Sequence, residues 1–270
     1  MFRLIGRIPK THFHLACSGG SDSMIFVDFL QRYPKHKFDL LYFNHGTECC
    51  TEAQKFVEQY GKEHNIKVHV GYITEYPEKQ KTESQEEYWR NCRYEFLSKF
   101  KSEPIIMCHH LNDVIETWVM TCMSGKPNLI PYYNPKYNII RPFLCVSKKQ
   151  IKEWKRRNNV DHVVDSSNYD IRIKRNYVRH KMMEHIYHIN PGIEKTIRKL
   201  IQDRVQSQIE NYNNDHMYLY TITFENVENK FVFDVDQFGG SEDQIRDFWS
   251  QHSQKYRILN IKTKQGENNE

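Results

Sequence analysis

Four stretches of the chain gather residue types that could do chemistry. The first, "SGGSDS", places Ser18, Gly19, Gly20, Ser21, Asp22 and Ser23 between an apolar run and a helical pattern. Paired glycines let a backbone turn sharply and approach a ligand, and the open N–H groups at the helix start behind them would cradle phosphate. An ordinary strand-to-helix turn uses the same residue types for geometry alone. Neither the Walker pattern G-x-x-x-x-G-K-S/T nor the dinucleotide pattern G-x-G-x-x-G occurs, so a phosphate loop here is of another kind.

The second stretch is "HHLNDVIET" (109–117), in which Asp113 and Glu116 stand three apart and share a helical face. Two acids beside a phosphate loop could hold magnesium or the ammonium group of an amine substrate; acids also decorate helix starts simply because the macrodipole favours them. His109, His110 and Asp113 have no further His or Cys at zinc spacing, so a metal cage is not expected. In the third stretch, "EEYWRNCRYEFL" (86–97), Arg90 and Arg93 are i, i+3 neighbours that suit either phosphate or a solvated helix face. The fourth, "VVDSSNYDIRIKRNYVRHKMMEHI" (163–186), crowds Arg172, Lys174, Arg175, Arg179, His180 and Lys181 around Tyr169 and Tyr177. Cations for a backbone and rings for stacking suit RNA, and a basic solvated helix would look the same.

The elements that must position these groups read as an alternation. Strand candidates at 13–18, 38–45, 67–73 and 104–110 interleave with helix candidates at 23–33, 51–64, 84–100 and 112–123. Such alternation predicts right-handed crossovers and a parallel β-sheet with helices on both faces, whose ligands sit at the carboxyl ends of the strands. Residues 124–146, with four prolines, read as a loop that crosses the ligand face and returns at "IIRPF". A basic helix follows at 147–158 with Ser147 as N-cap, then helices at about 173–188 and from near Pro191. We place a catalytic domain at 1–146, a helical segment completing it at 147–212, and a small β-β-α appendage at 213–270 with a frayed end from Lys262.

Composition bounds the class. With 39 basic and 34 acidic residues the formal charge is +5, so any nucleic-acid surface must be a local patch. Seven cysteines without a C-x-x-C pair argue for a reducing compartment and against a disulfide framework. No signal peptide opens the sequence, and no apolar run approaches the ~18 residues of a membrane span. A soluble, cytoplasmic protein that does not contact a membrane is expected.

The order of the stretches narrows the reading. "SGGSDS", "FNHG" (43–46), "WRNCRYEF", "HHLNDVIET", "RPF" (141–143) and "DSSNYD…RNYVRHKMMEHIYHINPGI" together resemble the tRNA(Ile)-lysidine synthetase family, over about residues 12–200. "SGGSDS" alone resembles the PP-loop of the N-type ATP pyrophosphatases; the later segment carries the narrower likeness. The resemblance implies a Rossmann-like PP-loop fold and ATP-dependent adenylation of the C2 oxygen of the wobble cytidine in a CAU-anticodon tRNA(Ile). L-lysine then displaces AMP, pyrophosphate having already left.

Residue by residue, the resemblance assigns Ser18 to Ser23, with Asn44, His45 and Gly46, to ATP, and Asp22 to phosphate or Mg2+. It assigns catalytic roles to Asp22, Arg93, Asp113 and Glu116, the acids serving metal and lysine. It places His110, Arg141, Asn168, Arg175, Asn176 and Arg179 with the lysine and the tRNA, beside Asp165 and Thr117. The assembly stays open, a homodimer included.

Three positions depart from the family pattern: Asn112 replaces a usual aspartate, "VV" precedes Asp165 where an aromatic is common, and the part after 215 is short and matches weakly, as in a reduced form. Three rivals remain. A tRNA 2-thiolation enzyme would rely on paired cysteines or an iron–sulfur cluster, an amide-forming small-molecule ligase has no use for the basic segment 172–181, and an inactive tRNA-binding protein would release no pyrophosphate.

Overall fold

A computed structural model describes residues 2, 4–32, 36–164 and 169–216 and three strands beyond them, with side chains as far as 205. Residues 1–206 form one compact unit and 207–270 a second.

The first unit is built on six strands in the order β3-β2-β1-β4-β6-β5. The parallel strands are β1 (Phe13–Ala16), β2 (Phe38–Asn44), β3 (Val68–Tyr72), β4 (Ile105–Met107) and β6 (Ile139–Ile140), while β5 (Tyr133–Asn134) runs antiparallel at the edge. Crossovers through α1 (Ser21–Gln31), α2 (Glu48–Glu63) and α3 (Gln85–Ser98) connect the first four. The chain moves outward one way from β1 to β3 and returns to β1's other side at β4. That reversal leaves a crevice beyond the carboxyl ends of β1 and β4, the place where open α/β sheets bind ligands. The mostly parallel sheet with helices expected from the alternation is therefore found.

Residues 124–146 are less loop-like than their prolines suggest. Tyr133 and Asn134 pair with Ile140 and Ile139, and β6 extends the sheet beside β4. Two-residue strands carry too little periodicity to be seen in sequence.

Packing explains why the central strands and α1 are so apolar. Phe13, Leu15, Ile105 and Ile106 have no exposed surface, and Met24, Ile25, Phe26, Val27, Phe29 and Leu30 of α1 are all buried. Phe26 stacks on Phe143, centroids 3.7 Å apart. Each such side chain contributes roughly 1.5–3 kcal/mol relative to exposure. The opposite face of the sheet packs Leu41, Phe43, Phe96, Leu97 and Met107 together.

The later helices lean on this frame. In α5 (Lys148–Asn158) Ser147 is the N-cap, accepting from Gln150 N, and Trp154 Nε1 donates to Asp28 Oδ2 of α1 at 2.7 Å. Then come α6 (Lys174–Tyr177), a π-helical turn at Val178–Met182, α7 (Met183–Ile189) and α8 (Ile193–His216). An i, i+4 stripe of Ile193, Ile197, Ile201 and Val205 is buried.

In the second unit β7 (Leu219–Phe224) pairs antiparallel with β8 (Phe231–Asp234) and with β9 (Ile258–Lys264). The residues from Lys262 to Lys264, expected to fray, belong to β9, because pairing with β7 satisfies their backbone. The helix expected near 241–254 lies outside the described residues. Among the described residues, no helix is long and apolar enough to cross a membrane.

Candidate functional site

The segment "SGGSDS" turns directly from β1 into α1. Gly19 adopts φ +73°, and a Cβ there would meet Val57 Cγ2 of α2 at 3.1 Å, so both conformation and space require glycine. Ser23 Oγ ties the turn internally, accepting from Ser18 N at 3.2 Å and donating to Gly20 O at 3.0 Å. Across the loop Val163 N donates to Gly19 O at 2.9 Å. Gly20 is the N-cap of α1, and the first intrahelical bond runs from Met24 N to Gly20 O. The N–H groups of Ser21, Asp22 and Ser23 precede that bond and face outward at the positive end of the helix, which suits phosphate.

Two cavities meet at this loop. One, about 390 Å³, is lined by Ser18, Gly20, Asp22 and Ser23 with His45, Arg93 and His109. The other is a groove of about 1140 Å³ that takes in Ser21, Asp22, His110, Glu116, Lys148 and Arg179.

In the smaller cavity, burial, with help from Arg93, pushes the His45 imidazole down to about 4, so it is neutral at physiological pH. Its ring lies 5.3 Å from that of Trp89. Arg93 Nε is buried without a hydrogen-bond partner among the described residues, as a donor waiting for an anion would be. Arg90, its i−3 neighbour, is exposed over the Tyr94 ring instead. Asn44 is occupied with shaping the β2 end: its side chain donates to Gln54 Oε1 at 2.9 Å and accepts from Gly46 N at 2.8 Å.

The groove holds a chain of charges. His110 Nε2 lies 3.3 Å from Asp22 Oδ2 and 3.5 Å from Asp113 Oδ2, joining the phosphate loop to the acid pair. Burial alone would raise the Asp22 carboxyl, but His110 and then Lys148 outweigh it and hold it well below the usual carboxylate range. Asp113 behaves alike: His110 and Arg175 overcome burial and bring it to about 2. His110 moves the other way, raised because Asp113 and Asp22 outweigh its burial.

Asp113 and Glu116 do share one face of α4 (Leu111–Met123), and both are met by arginines. Arg175 Nε reaches Glu116 Oε2 at 3.1 Å and its Nη2 reaches Asp113 Oδ1 at 3.1 Å. Arg179 takes Glu116 in a fork, at 2.8 and 2.9 Å. Arg179 sits in the π-helical turn, a feature that re-aims side chains at functional sites.

Other expected residues lie apart from the cavities. Arg141 is buried, donating to Pro131 O at 2.9 Å and Tyr94 OH at 3.2 Å. Asn176 is buried and donates to Asp170 O at 3.1 Å. Asn168 and Asp165 lie outside the described residues.

Sequence reasoning missed Lys148, whose ammonium pairs with Asp22 from the first turn of α5. The rung from Trp154 to Asp28 is what brings it there: six residues along each helix, the same two elements meet again. Asn112 was noticed only as a departure. It accepts from Lys148 N at 2.8 Å and donates to Tyr187 OH at 3.0 Å, fastening α4 to α5 and α7.

Comparison with known proteins bears on the family and the fold. Residues 2–186 match the family model described as PP-loop domain. The chain is 30% identical over 242 residues to a tRNA(Ile)-lysidine synthase of Thermotoga maritima, covering 82% of this chain and 58% of that protein. It is 31% identical over 198 residues to a tRNA(Ile)-lysidine synthase of Persephonella marina, covering 69% and 44%. The chain thus spans about half the length of the curated relatives it matches. Its fold resembles that of the U34-tRNA thiolase NcsA from Methanococcus maripaludis, with a TM-score of 0.60 and 14% identity over 72% of each chain.

Proposed function

The chain belongs to the PP-loop domain family, and from that premise we propose that it is an ATP-dependent ligase joining L-lysine to the wobble cytidine of a CAU-anticodon tRNA(Ile). The observation that carries this reading is the groove itself, in which a phosphate loop, Glu116 of the acid pair and a cationic wall face one space. The names of the relatives support the substrate.

ATP phosphates would rest on the N–H groups of Ser21, Asp22 and Ser23, with the Arg93 guanidinium donating from α3. The cytidine C2 oxygen attacks the α-phosphorus, the bond to pyrophosphate breaks, and the leaving charge meets those donors and Lys148. The lysine amine then bonds to C2, the bond from C2 to oxygen breaks, and AMP departs with the oxygen. An incoming ammonium competes for the Asp113 and Glu116 oxygens that Arg175 and Arg179 hold.

Magnesium fits Asp22. Its carboxylate is kept ionised and lines both cavities beside the cradle, and one carboxylate plus phosphate oxygens is the usual way proteins hold this ion. Bound there, it would neutralise phosphate charge.

Lys149, Lys152, Arg156 and Arg157 of α5 line the groove with Tyr169, which gives the RNA backbone cations and a base a ring to stack on. Of the four cysteines that line the smaller cavity, Cys17 and Cys108 do not support a thiolation chemistry: burial pushes both thiols up, so neither offers a thiolate.

The test is conversion of ATP to AMP and pyrophosphate with each component left out in turn. The reading expects turnover only with the isoleucine transcript and lysine both present. Turnover equally supported by a methionine tRNA would reject the substrate assignment.

A further inference from the structure

At the far end of the sheet from the phosphate loop, histidines and carboxylates converge from three strands. His12 and His14 stand two apart where β1 begins, so their side chains share a face. The register sets His14 beside Asp39 of β2 and beside Ile105 of β4, two residues after Glu103. His12 Nδ1 and His14 Nε2 both approach one atom, Glu103 Oε2, at 2.7 and 3.0 Å. The other nitrogen of His12, Nε2, lies 3.3 Å from Asp39 Oδ1, and His69 Nε2 lies 2.9 Å from Asp39 Oδ2.

We infer that His12 Nδ1, His14 Nε2 and Glu103 Oε2 form a binding site for one zinc-class divalent cation, with Asp39 orienting His12 from behind. Zinc–nitrogen bonds of ~2.0–2.1 Å place the ligand atoms of a tetrahedron about 3.4 Å apart, so the observed 2.7 and 3.0 Å sides need to open by about 0.7 and about 0.4 Å. The Asp39–His12 contact is the carboxylate–histidine arrangement that fixes the tautomer and orientation of metal-binding imidazoles. Three protein ligands leave a fourth position for water, and the side chains of His12 and Glu103, 36% and 42% exposed, keep it open to solvent.

Charge points the same way. Two carboxylates beside imidazoles balance a divalent cation when the imidazoles are neutral, and otherwise need protons. The site would clamp the first residues of β1 to the turn before β4. From His14 to Ser18 of the phosphate loop is four steps along the chain, ~13 Å at ~3.3 Å each.

The test is titration of the full chain with Co2+, a spectroscopic stand-in for zinc, followed by displacement with Zn2+. One saturable site is expected, showing ligand-field bands without sulfur-to-cobalt charge transfer. His12→Gln and Glu103→Gln, both at partly exposed positions, are expected to weaken binding at least about tenfold, and Asp39→Asn by about tenfold. No saturable site, a thiolate band, or equal binding by His12→Gln and Glu103→Gln would overturn the assignment.

Discussion

Arg179 closes on both oxygens of Glu116, Nε to Oε1 at 2.8 Å and Nη2 to Oε2 at 2.9 Å, across 63 residues of sequence. Glu116 is only 2% exposed, so its oxygens need partners within the unit, and this pairing supplies them. Breaking one partner of a buried pair leaves an uncompensated charge, which costs about 3–5 kcal/mol, and Arg175 retains part of that here. Arg179→Ala is therefore expected to lose about 2–3 kcal/mol in urea unfolding. Arg179→Lys should recover only part, since an ammonium cannot make the fork. Full recovery by lysine would contradict the geometry.

The surroundings of Asn112, where the family resemblance leads one to expect aspartate, explain the amide. Tyr187 has a single hydroxyl proton, given to Glu194 Oε1 at 3.1 Å, and so accepts from Asn112 Nδ2. Burial and Glu194 push that phenol up to about 12, keeping the proton in place. Asn112→Asp would set a second carboxylate against the same oxygen. A loss of about 1–3 kcal/mol is expected in chemical denaturation, and Tyr187→Phe in the same background should relieve part of it. A neutral Asn112→Asp would show that the hydroxyl has another acceptor arrangement.

Stability should fall on both sides of neutrality for separable reasons. The folded Asp113 carboxyl, at about 2, lies below its ordinary 3.8, so its contribution is complete above about 3.8 and is lost as pH falls toward 2. Asp22 acts in the same direction. The folded His110 imidazole lies above 6.5, so its contribution is complete below 6.5 and is lost as pH rises through the folded value. In urea midpoints measured across pH, His110→Gln should flatten the decline above 6.5. A variant profile parallel to wild type there would remove His110 from the account.

The α5 face makes a quantitative claim on RNA binding. Lys149 and Lys152 line the groove without belonging to the phosphate site. Changing both to alanine should weaken tRNA binding and reduce the slope of log K against log salt by about 1.5 to 2, the loss of two phosphate contacts. An unchanged slope would move the RNA to another face.

How far the sequence led can be argued from particular residues. The four central strands were legible because short apolar runs alternate with helical periodicity, and the phosphate loop was legible because the whole string S-G-G-S-D-S follows an N-terminal strand. Asp113 and Glu116 on one face followed from helical spacing alone. Arg141 shows the limit: a buried guanidinium that donates to Tyr94 and Pro131 looks in sequence like any groove arginine. Lys148 was invisible as a site residue because its partner is 126 positions away, and only the packing of α1 on α5 joins them. Asn44, expected beside the nucleotide, spends its amide on a turn, a choice set by Gln54 and Gly46 that spacing does not encode. The strand β9 depends on β7 for its hydrogen bonds, so its local sequence carried little signal.

The most direct test is mass analysis of the wobble nucleoside after incubating a CAU-anticodon tRNA(Ile) transcript with the full chain, ATP, magnesium and labelled L-lysine. The account predicts that label enters the cytidine only when ATP is present, that a methionine tRNA takes up none, and that Asp22→Ala abolishes incorporation while keeping the fold. Lysine transfer by Asp22→Ala at the wild-type rate, or no labelled nucleoside from active wild-type protein, would contradict it.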